Sequence, residues 1–298
     1  MSPLDLLLLV VLGAIWGASF LFIRIGAPAL GPVPLMDIRV VIAATALLAL
    51  SAARRDRVLH VERWRQFLVQ GTLNNAVPFV SIATGELFIT AGLGAILNAT
   101  SPFFTVIVAA VWQKQRPSLA ETLGTIIGFG GVVVLVGVGT LELGDGVLLG
   151  IGLCLIGALS YAVAAVYASR ALSGLRAIEV STNQLVASSL ILGPIAIATR
   201  TSSPPRPEVV GSVLALALLG TALGYVIYFH LMGRVGPTRA ITVTLLIPPF
   251  GVFFGKVFLN EPVGTGLLFG LALILFGIAL VSGGIRLPVR SPGAPSSG

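Results

Sequence analysis

Charge is scarce in this 298-residue chain: 18 Lys and Arg with 11 Asp and Glu make up 10% of it, where a water-soluble domain carries about 25%. With so little charge and a mean hydropathy of +1.03, the chain lacks the polar surface to clothe a soluble globule. Cysteine is almost absent. Cys154 stands alone in an apolar run, so no internal disulfide can form. His60 and His230 lie in different segments from Cys154 and from each other, which argues against a clustered metal site. A G-x-x-x-x-G-K-S/T phosphate loop is missing too, because Gly255-Lys256 has no upstream glycine at the required spacing and falls in an apolar run. No soluble domain is present to hydrolyse ATP, so energy for any work would come from a solute or proton gradient. Neither a cofactor motif nor a convergent catalytic set points to an enzyme, and no cofactor is expected.

What is abundant is hydrophobic residue, 56% of the chain, arranged as long runs with short breaks. A membrane-spanning helix takes about 20 apolar residues. The pattern predicts ten, near 4–26, 35–53, 66–88, 91–113, 119–139, 146–170, 178–199, 208–233, 239–259 and 265–285. Gly31-Pro32-Val33-Pro34, Pro204-Pro205-Arg206-Pro207 and Gly236-Pro237 supply turn chemistry at the breaks. The first run carries Asp5 rather than a basic cluster and exceeds a signal core of ~7–15 residues, so it reads as a span. Residues 286–298, rich in Pro, Gly and Ser, read as a disordered tail.

The formal net charge of +7 is a topology signal rather than a nucleic-acid footprint, since basic residues between apolar runs mark the cytoplasmic side. With ten spans and the N-terminus inside, the outer half keeps Arg24, Arg39, Arg200, Arg206 and Lys256, and the remaining 13 of the 18 Lys and Arg fall inside. Both termini are therefore expected in the cytoplasm, in the plasma membrane or, for a bacterium, the inner membrane.

A shift of 146 residues lays Pro102 on Pro248, Phe104 on Phe250, Gly124 on Gly270, Gly131 on Gly277 and Gly137 on Gly283. Near the start of each half, a shift of 144 lays Gly13-Ala14 on Gly157-Ala158. Each half then holds five spans, residues 1–140 and 141–285. An odd number forces the second copy to enter the membrane the other way up. The expected fold is an all-α membrane protein of ten transmembrane helices built as two inverted five-helix repeats. Such repeats mark secondary transporters, whose site lies where the halves meet.

Several motifs carry a resemblance. Trp16-Gly17-Ala18-Ser19-Phe20 with Arg24, then Asp37-Ile38-Arg39, resemble the first and second helices of the EamA-type transporters in the drug/metabolite transporter superfamily. The passage from Ile89 to Asn98 and on through Ser101-Pro102 is similar to their third-to-fourth helix passage. Pro248 and Asn260-Glu261-Pro262 resemble their repeated proline and acidic turn. The first half departs from the pattern, with Gln113-Lys114-Gln115-Arg116 where the acidic turn is usual. The resemblance implies a ten-helix carrier, an exporter of amino acids or other small metabolites, with YddG-like amino-acid exporters as plausible neighbours.

Candidate substrate-binding residues are mostly uncharged: Trp16 and Ser19 in the first span, Asn74 and Ser81 in the third, Asn98 and Ser101 in the fourth, Ser160 and Tyr161 in the sixth, Tyr225 and Tyr228 in the eighth, and Thr244 in the ninth. A plain helix–helix hydrogen bond, about 0.6 kcal/mol on average, is the better reading of any single Ser or Thr, while stripes of three in several helices point to a lined cavity. Aromatic faces with a few hydroxyl and amide groups would suit a small amphiphilic or zwitterionic solute. Arg24, Asp37 and Arg39 flank the first outer loop, where an ion-pair cluster could gate the outer mouth or the side chains could simply anchor helix ends. Pro102 and Pro248, at matching positions, read as hinges or as fixed kinks. Glu121 and Glu179 open helices, where a carboxylate suits the positive end of the dipole. Lys256 reads as snorkelling to the surface, with a pair to Glu86 or Glu261 as the other reading.

The leading functional reading is a carrier working by alternating access on a small-molecule solute within a lipid bilayer. The runner-up substrate is a nucleotide sugar or another phosphorylated metabolite, for which few cationic side chains are available. A passive channel is the reading from another class; it would call for rings of like charge, and none are visible. Small-residue steps such as Gly13/Gly17 permit close helix contact without setting an oligomeric state.

Overall fold

The computed structural model describes residues 2–137, 144–200 and 204–283. The expected tail at 286–298, Arg286 and Arg290 of the charge count, and the boundary between halves near residue 140 lie outside them. The described residues form 14 α-helices and no strand: α1 (Pro3–Leu30), α2 (Pro32–Ala53), α3 (Trp64–Gly71), α4 (Val77–Gly85), α5 (Ala91–Asn98), α6 (Ser101–Gln113), α7 (Leu119–Gly137), α8 (Val147–Ala171), α9 (Ala177–Thr199), α10 (Pro207–Leu214), α11 (Gly224–Val235), α12 (Pro237–Ala240), α13 (Ile247–Leu259) and α14 (Thr265–Val281).

Eight helical stretches are long and apolar enough to cross a membrane, counting Ala91–Gln113, Pro207–Val235 and Ile241–Leu259 as single stretches. α14 is apolar but 17 residues long. The third expected span is two short helices, α3 and α4, joined by a π-helical turn at Thr72–Ala76. A second π-helical stretch, Ala215–Leu223, joins α10 to α11. This is the all-helical, multi-pass architecture expected when a bilayer core offers the backbone no hydrogen bonds.

Local chemistry sets the helix ends. Ser2 and Asp5 form a capping box at the start of α1. Gly31, at φ +83°, turns the chain directly into α2, which begins on Pro32. Glu121 accepts from the Ser118 amide and Glu179 from the Arg176 amide, so both carboxylates cap as expected.

Pro102 and Pro248 do not bend continuous helices. α5 ends at Asn98 and α6 restarts at Ser101, while a 3₁₀ stretch, Ile241–Leu245, precedes α13. Each proline thus occupies the first turn of a new helix, where its missing N–H would have had no helical partner.

Two helices 146 positions apart match in length and in how they end. α6 and α13 are both 13 residues long and start 146 positions apart. Each ends in a left-handed residue, Lys114 and Asn260, both at φ 54°. α7 and α14 pack antiparallel through glycines. A Cβ added to Gly124 would stand 2.7 Å from Gly277 O, and one on Gly131 would stand 2.9 Å from Gly270 O. Reciprocally, Gly277 and Gly270 face the backbone oxygens of Gly124 and Gly131. Close approach of this kind drives helix pairing in lipid, where there is no water to exclude.

Gly124→Val should therefore lower the melting temperature of the detergent-solubilised protein, as expected of an overpacked contact costing about 1–3 kcal/mol. Gly130→Ala, at a position with nothing within 4 Å, should leave it unchanged. Equal melting temperatures for the two variants would remove this contact from the stability of the fold.

Candidate functional site

Several buried polar groups gather where α2, α4, α8, α9 and the π-helical stretch before α11 converge. Arg39 of α2 is 7% exposed. Its Nε donates to Thr221 Oγ1 at 2.8 Å, and its guanidinium carbon lies 3.8 Å from the centre of the Phe79 ring. Nη1 reaches Met36 Sδ at 3.8 Å. Tyr161 and Tyr225 stand near enough to sense its charge. The Thr221 hydroxyl donates to Leu216 O five residues back, within a π-helical stretch, and π turns recur at functional sites.

Beside this lies an amide cluster. Gln184 Oε1 accepts from Gln70 Nε2 and from Asn74 Nδ2, each at 3.3 Å, and Tyr225 interacts with the Gln184 side chain. One turn on, Asn75 Nδ2 donates to Ser188 Oγ at 3.0 Å, and that hydroxyl lies 3.0 Å from Gly71 O. Gln70, Asn75, Gln184 and Ser188 are buried. Burial of amides in an apolar interior is tolerated because each finds a partner across a helix interface.

An aromatic wall continues along α1 and α11. Trp16 packs 5.4 Å from Tyr228, and Gly224 leaves room for the indole. Tyr225 stacks on Phe229 at 5.8 Å. Phe229 in turn lines a cavity of about 350 Å³ with Leu50, Ser51, Val226 and His230, whose rim carries Arg54, Asp56 and Arg176. Tyr225 precedes Val226 on the same helix and, stacked on Phe229, lies beside this cavity.

The structure brings together Asn74, Tyr161, Tyr225 and Arg39, with Trp16 and Tyr228 along the wall. Ser19 is buried against Gly220 and donates to Ile15 O. Ser160 donates to Leu73 O, an interhelical bond. Ser101 and Thr244 bond back to carbonyls of their own chain, Asn98 O and Ile241 O, and Ser81 is half-buried in α4. Asn98 Oδ1 is buried without a partner.

Arg24, Asp37 and Arg39 form no ion-pair cluster. Arg24 Nη1 donates to the Glu86 carbonyl at 2.8 Å, Asp37 Oδ1 is buried without a partner, and Arg39 lies deeper, on Thr221 and Phe79. α2 begins three residues before the expected span, which carries Arg39 about 10 Å down the helix axis at 1.5 Å per residue. Lys256 is exposed and pairs with neither Glu86 nor Glu261. Glu261 instead reaches across from the second half to cap α5, accepting from the Ala91 amide at 2.7 Å and from the Gly92 amide at 3.0 Å.

Thr221 belongs to the polar stripe that the sequence shows with Tyr225 and Tyr228, whereas Gln70, Gln184 and Ser188 are not among the sequence candidates. Gln184 and Ser188 stand four residues apart on a predicted span, so their polar stripe was visible, but their partners on other helices were not.

The arrangement is a polar and aromatic centre, with a buried guanidinium, inside a bundle of apolar helices. The profile of the EamA-like transporter family matches the chain twice, over residues 4–137 and 148–283. The chain belongs to that family. An uncharacterized transporter of Archaeoglobus fulgidus is 26% identical over 260 residues, covering 87% of this chain and 92% of the relative. The uncharacterized inner membrane transporter YedA of Escherichia coli is 27% identical over 243 residues, covering 81% of this chain and 78% of its own. A probable terminal-alkyne amino-acid exporter of Streptantibioticus cattleyicolor is 24% identical over 273 residues, covering 87% of this chain and 86% of its own. One solved crystal structure shares the fold with a TM-score of 0.66 at 18% identity, covering 93% of this chain and 95% of that one. The family and these relatives are transporters rather than enzymes, which implies a small-molecule solute and a lipid bilayer as surroundings.

Glu261→Ala should strip the acceptor from two buried amides, a loss of about 1–3 kcal/mol per unsatisfied group, while Glu261→Gln keeps one carbonyl acceptor and should lose less. Melting temperatures in detergent measure both. Equal, small losses would mean that water takes over the capping role.

Proposed function

We propose that this EamA-family chain is a secondary transporter of the inner membrane that exports amino acids or related small metabolites by alternating access. The observation that carries the reading is the meeting of two matched halves around one polar and aromatic centre. In support, α6 and α13 agree in length and in their left-handed ends across a 146-residue shift. The same shift relates Gly124 to Gly270 and Gly131 to Gly277, and each glycine packs on the partner of the other. Such reciprocal contact is the signature of a twofold interface. The antiparallel course of α7 and α14 puts that axis across the helices, as two inverted five-helix repeats, residues 1–140 and 141–285, require.

In this reading ten segments span the bilayer, with α3–α4 and α14 completing the eight longer ones, and both termini face the cytoplasm. Arg39, Asn74, Tyr161, Gln184, Thr221 and Tyr225 contact the solute, with Trp16 and Tyr228 as the aromatic wall. Asn98 contributes through its unpartnered amide oxygen, and Ser19, Ser81, Ser101, Ser160 and Thr244 shape the helices around it. The breaks before Pro102 and Pro248 act as hinges, because a helix interrupted there has few backbone bonds to distort as its halves move. Arg24 and Asp37 line the outer passage. The name of the Streptantibioticus cattleyicolor relative supports amino acids as the solute class. The paucity of free cations argues against nucleotide sugars.

Purified protein in liposomes loaded with amino acid should show saturable counterflow uptake of the labelled species. Replacing Trp16, Tyr225 or Asn98 with alanine should change its rate about tenfold without preventing membrane insertion. Flux linear in concentration with no counterflow stimulation would make the protein a pore. Normal transport in a variant would remove that residue from the site.

A further inference from the structure

Arg39 holds a positive charge in the middle of an apolar bundle, near enough to Glu86 to feel its carboxyl but in no ion pair with it. None of the ion pairs among the described residues includes it. A guanidinium carries five N–H groups in a planar fork, and here only Nε meets an oxygen, Thr221 Oγ1, while Nη1 meets the sulfur of Met36 at 3.8 Å. The neighbouring acids are committed or set apart. Glu261 accepts from the Ala91 and Gly92 amides. Glu86, fully buried, presents its backbone carbonyl to Arg24, and neither carboxyl oxygen bonds to anything. The Phe79 ring covers one face of the guanidinium. Stacking of that kind occupies the face and leaves the donor edge open for a planar acceptor.

We propose that Arg39 is the anchor for a carboxylate of the transported solute, which serves as the missing counter-ion each time the site is filled. This rests on the transporter reading above and narrows it to solutes bearing a single compact negative charge near an amphiphilic body. A carboxylate matches the guanidinium fork with two parallel hydrogen bonds. The solute's carboxylate neutralises the single buried cation, so the loaded site crosses the bilayer without net charge from this pair. A phosphate at full ionisation would bring a second negative charge. Arg24 is turned to the Glu86 carbonyl and Lys256 is exposed, so neither stands ready to meet it. Thr221 fixes the fork through Nε, and the Gln70–Gln184–Asn74 amides with the Tyr161 and Tyr225 rings surround the rest of the solute.

Counterflow into liposomes containing the full-length protein tests this, with the proteinogenic amino acids, their carboxamides and a set of sugar phosphates as internal probes. The acids should stimulate uptake at least tenfold more than the matching amides or the sugar phosphates. Arg39→Gln should lose that preference, Arg39→Lys should keep part of it, and Thr221→Val should raise the apparent KM for acids several-fold with little change for amides. A merely structural role for Arg39 would depress acids and amides alike, and that result overturns the proposal. Equal stimulation by acids and amides in the unaltered protein, or a preference for sugar phosphates, also overturns it while leaving a transporter. No stimulation by any probe overturns both the anchor and the transporter reading.

Discussion

A bilayer interior offers no hydrogen bonds, and the arrangement of this protein follows from that one constraint. Helices satisfy their own backbones, so what remains to be placed is a small set of polar side chains. Most are paired across helix interfaces: Ser160 on Leu73 O, Asn75 on Ser188, and Gln70 and Asn74 together on Gln184. Hydroxyls such as Thr105 and Ser101 turn back to their own chain. The groups left over are therefore informative. Arg39 makes no ion pair, and buried oxygens of Glu86, Asp37, Asn98, Gln70 and Asn75 have no hydrogen-bond partner.

The same constraint shapes the packing. Without water to drive helices together, contact depends on how closely backbones approach. Glycines do this at several places, Gly85 of α4 against Gly150 of α8 among them. Gly124, Gly131, Gly270 and Gly277 join α7 to α14; Gly17 and Gly251 bring α1 against α13; and Gly71 admits α9 to the π turn beside α3. The first of these is a tight seam linking the halves. The second lies beside α5, which is capped from the other half by Glu261. The polar centre sits among the remaining helices, where irregular turns at Thr72–Ala76 and Ala215–Leu223 interrupt the regular ladder.

Much of the fold was legible in the sequence because apolar runs of about 20 residues have few alternatives to spanning helices. The sequence also shows a 146-residue register, and Lys114 and Asn260, 146 positions apart, share a left-handed backbone. The site was only partly legible. Asn74, Tyr161 and Tyr225 were found as polar or aromatic residues at mid-span. Gln184 and Thr221 acquire their meaning from partners more than 100 residues away, which no local pattern encodes. Arg39 was misread as a mouth residue because α2 starts earlier than hydropathy suggests. Glu261 was recognised as part of a turn, but its target, the first amides of α5, depends on how the two halves fold against each other.

Alternating access requires that a single central position be reached by water from each side in turn, never from both at once. Tyr225, stacked on Phe229 of the cavity lining, is suited to reporting this. In a Cys154→Ala background, Tyr225→Cys should react with a membrane-impermeant thiol reagent applied from either face of sealed vesicles. A solute that supports counterflow should shield it from both. Reaction from one face alone, in the presence and absence of such a solute, would contradict a carrier whose two halves exchange roles.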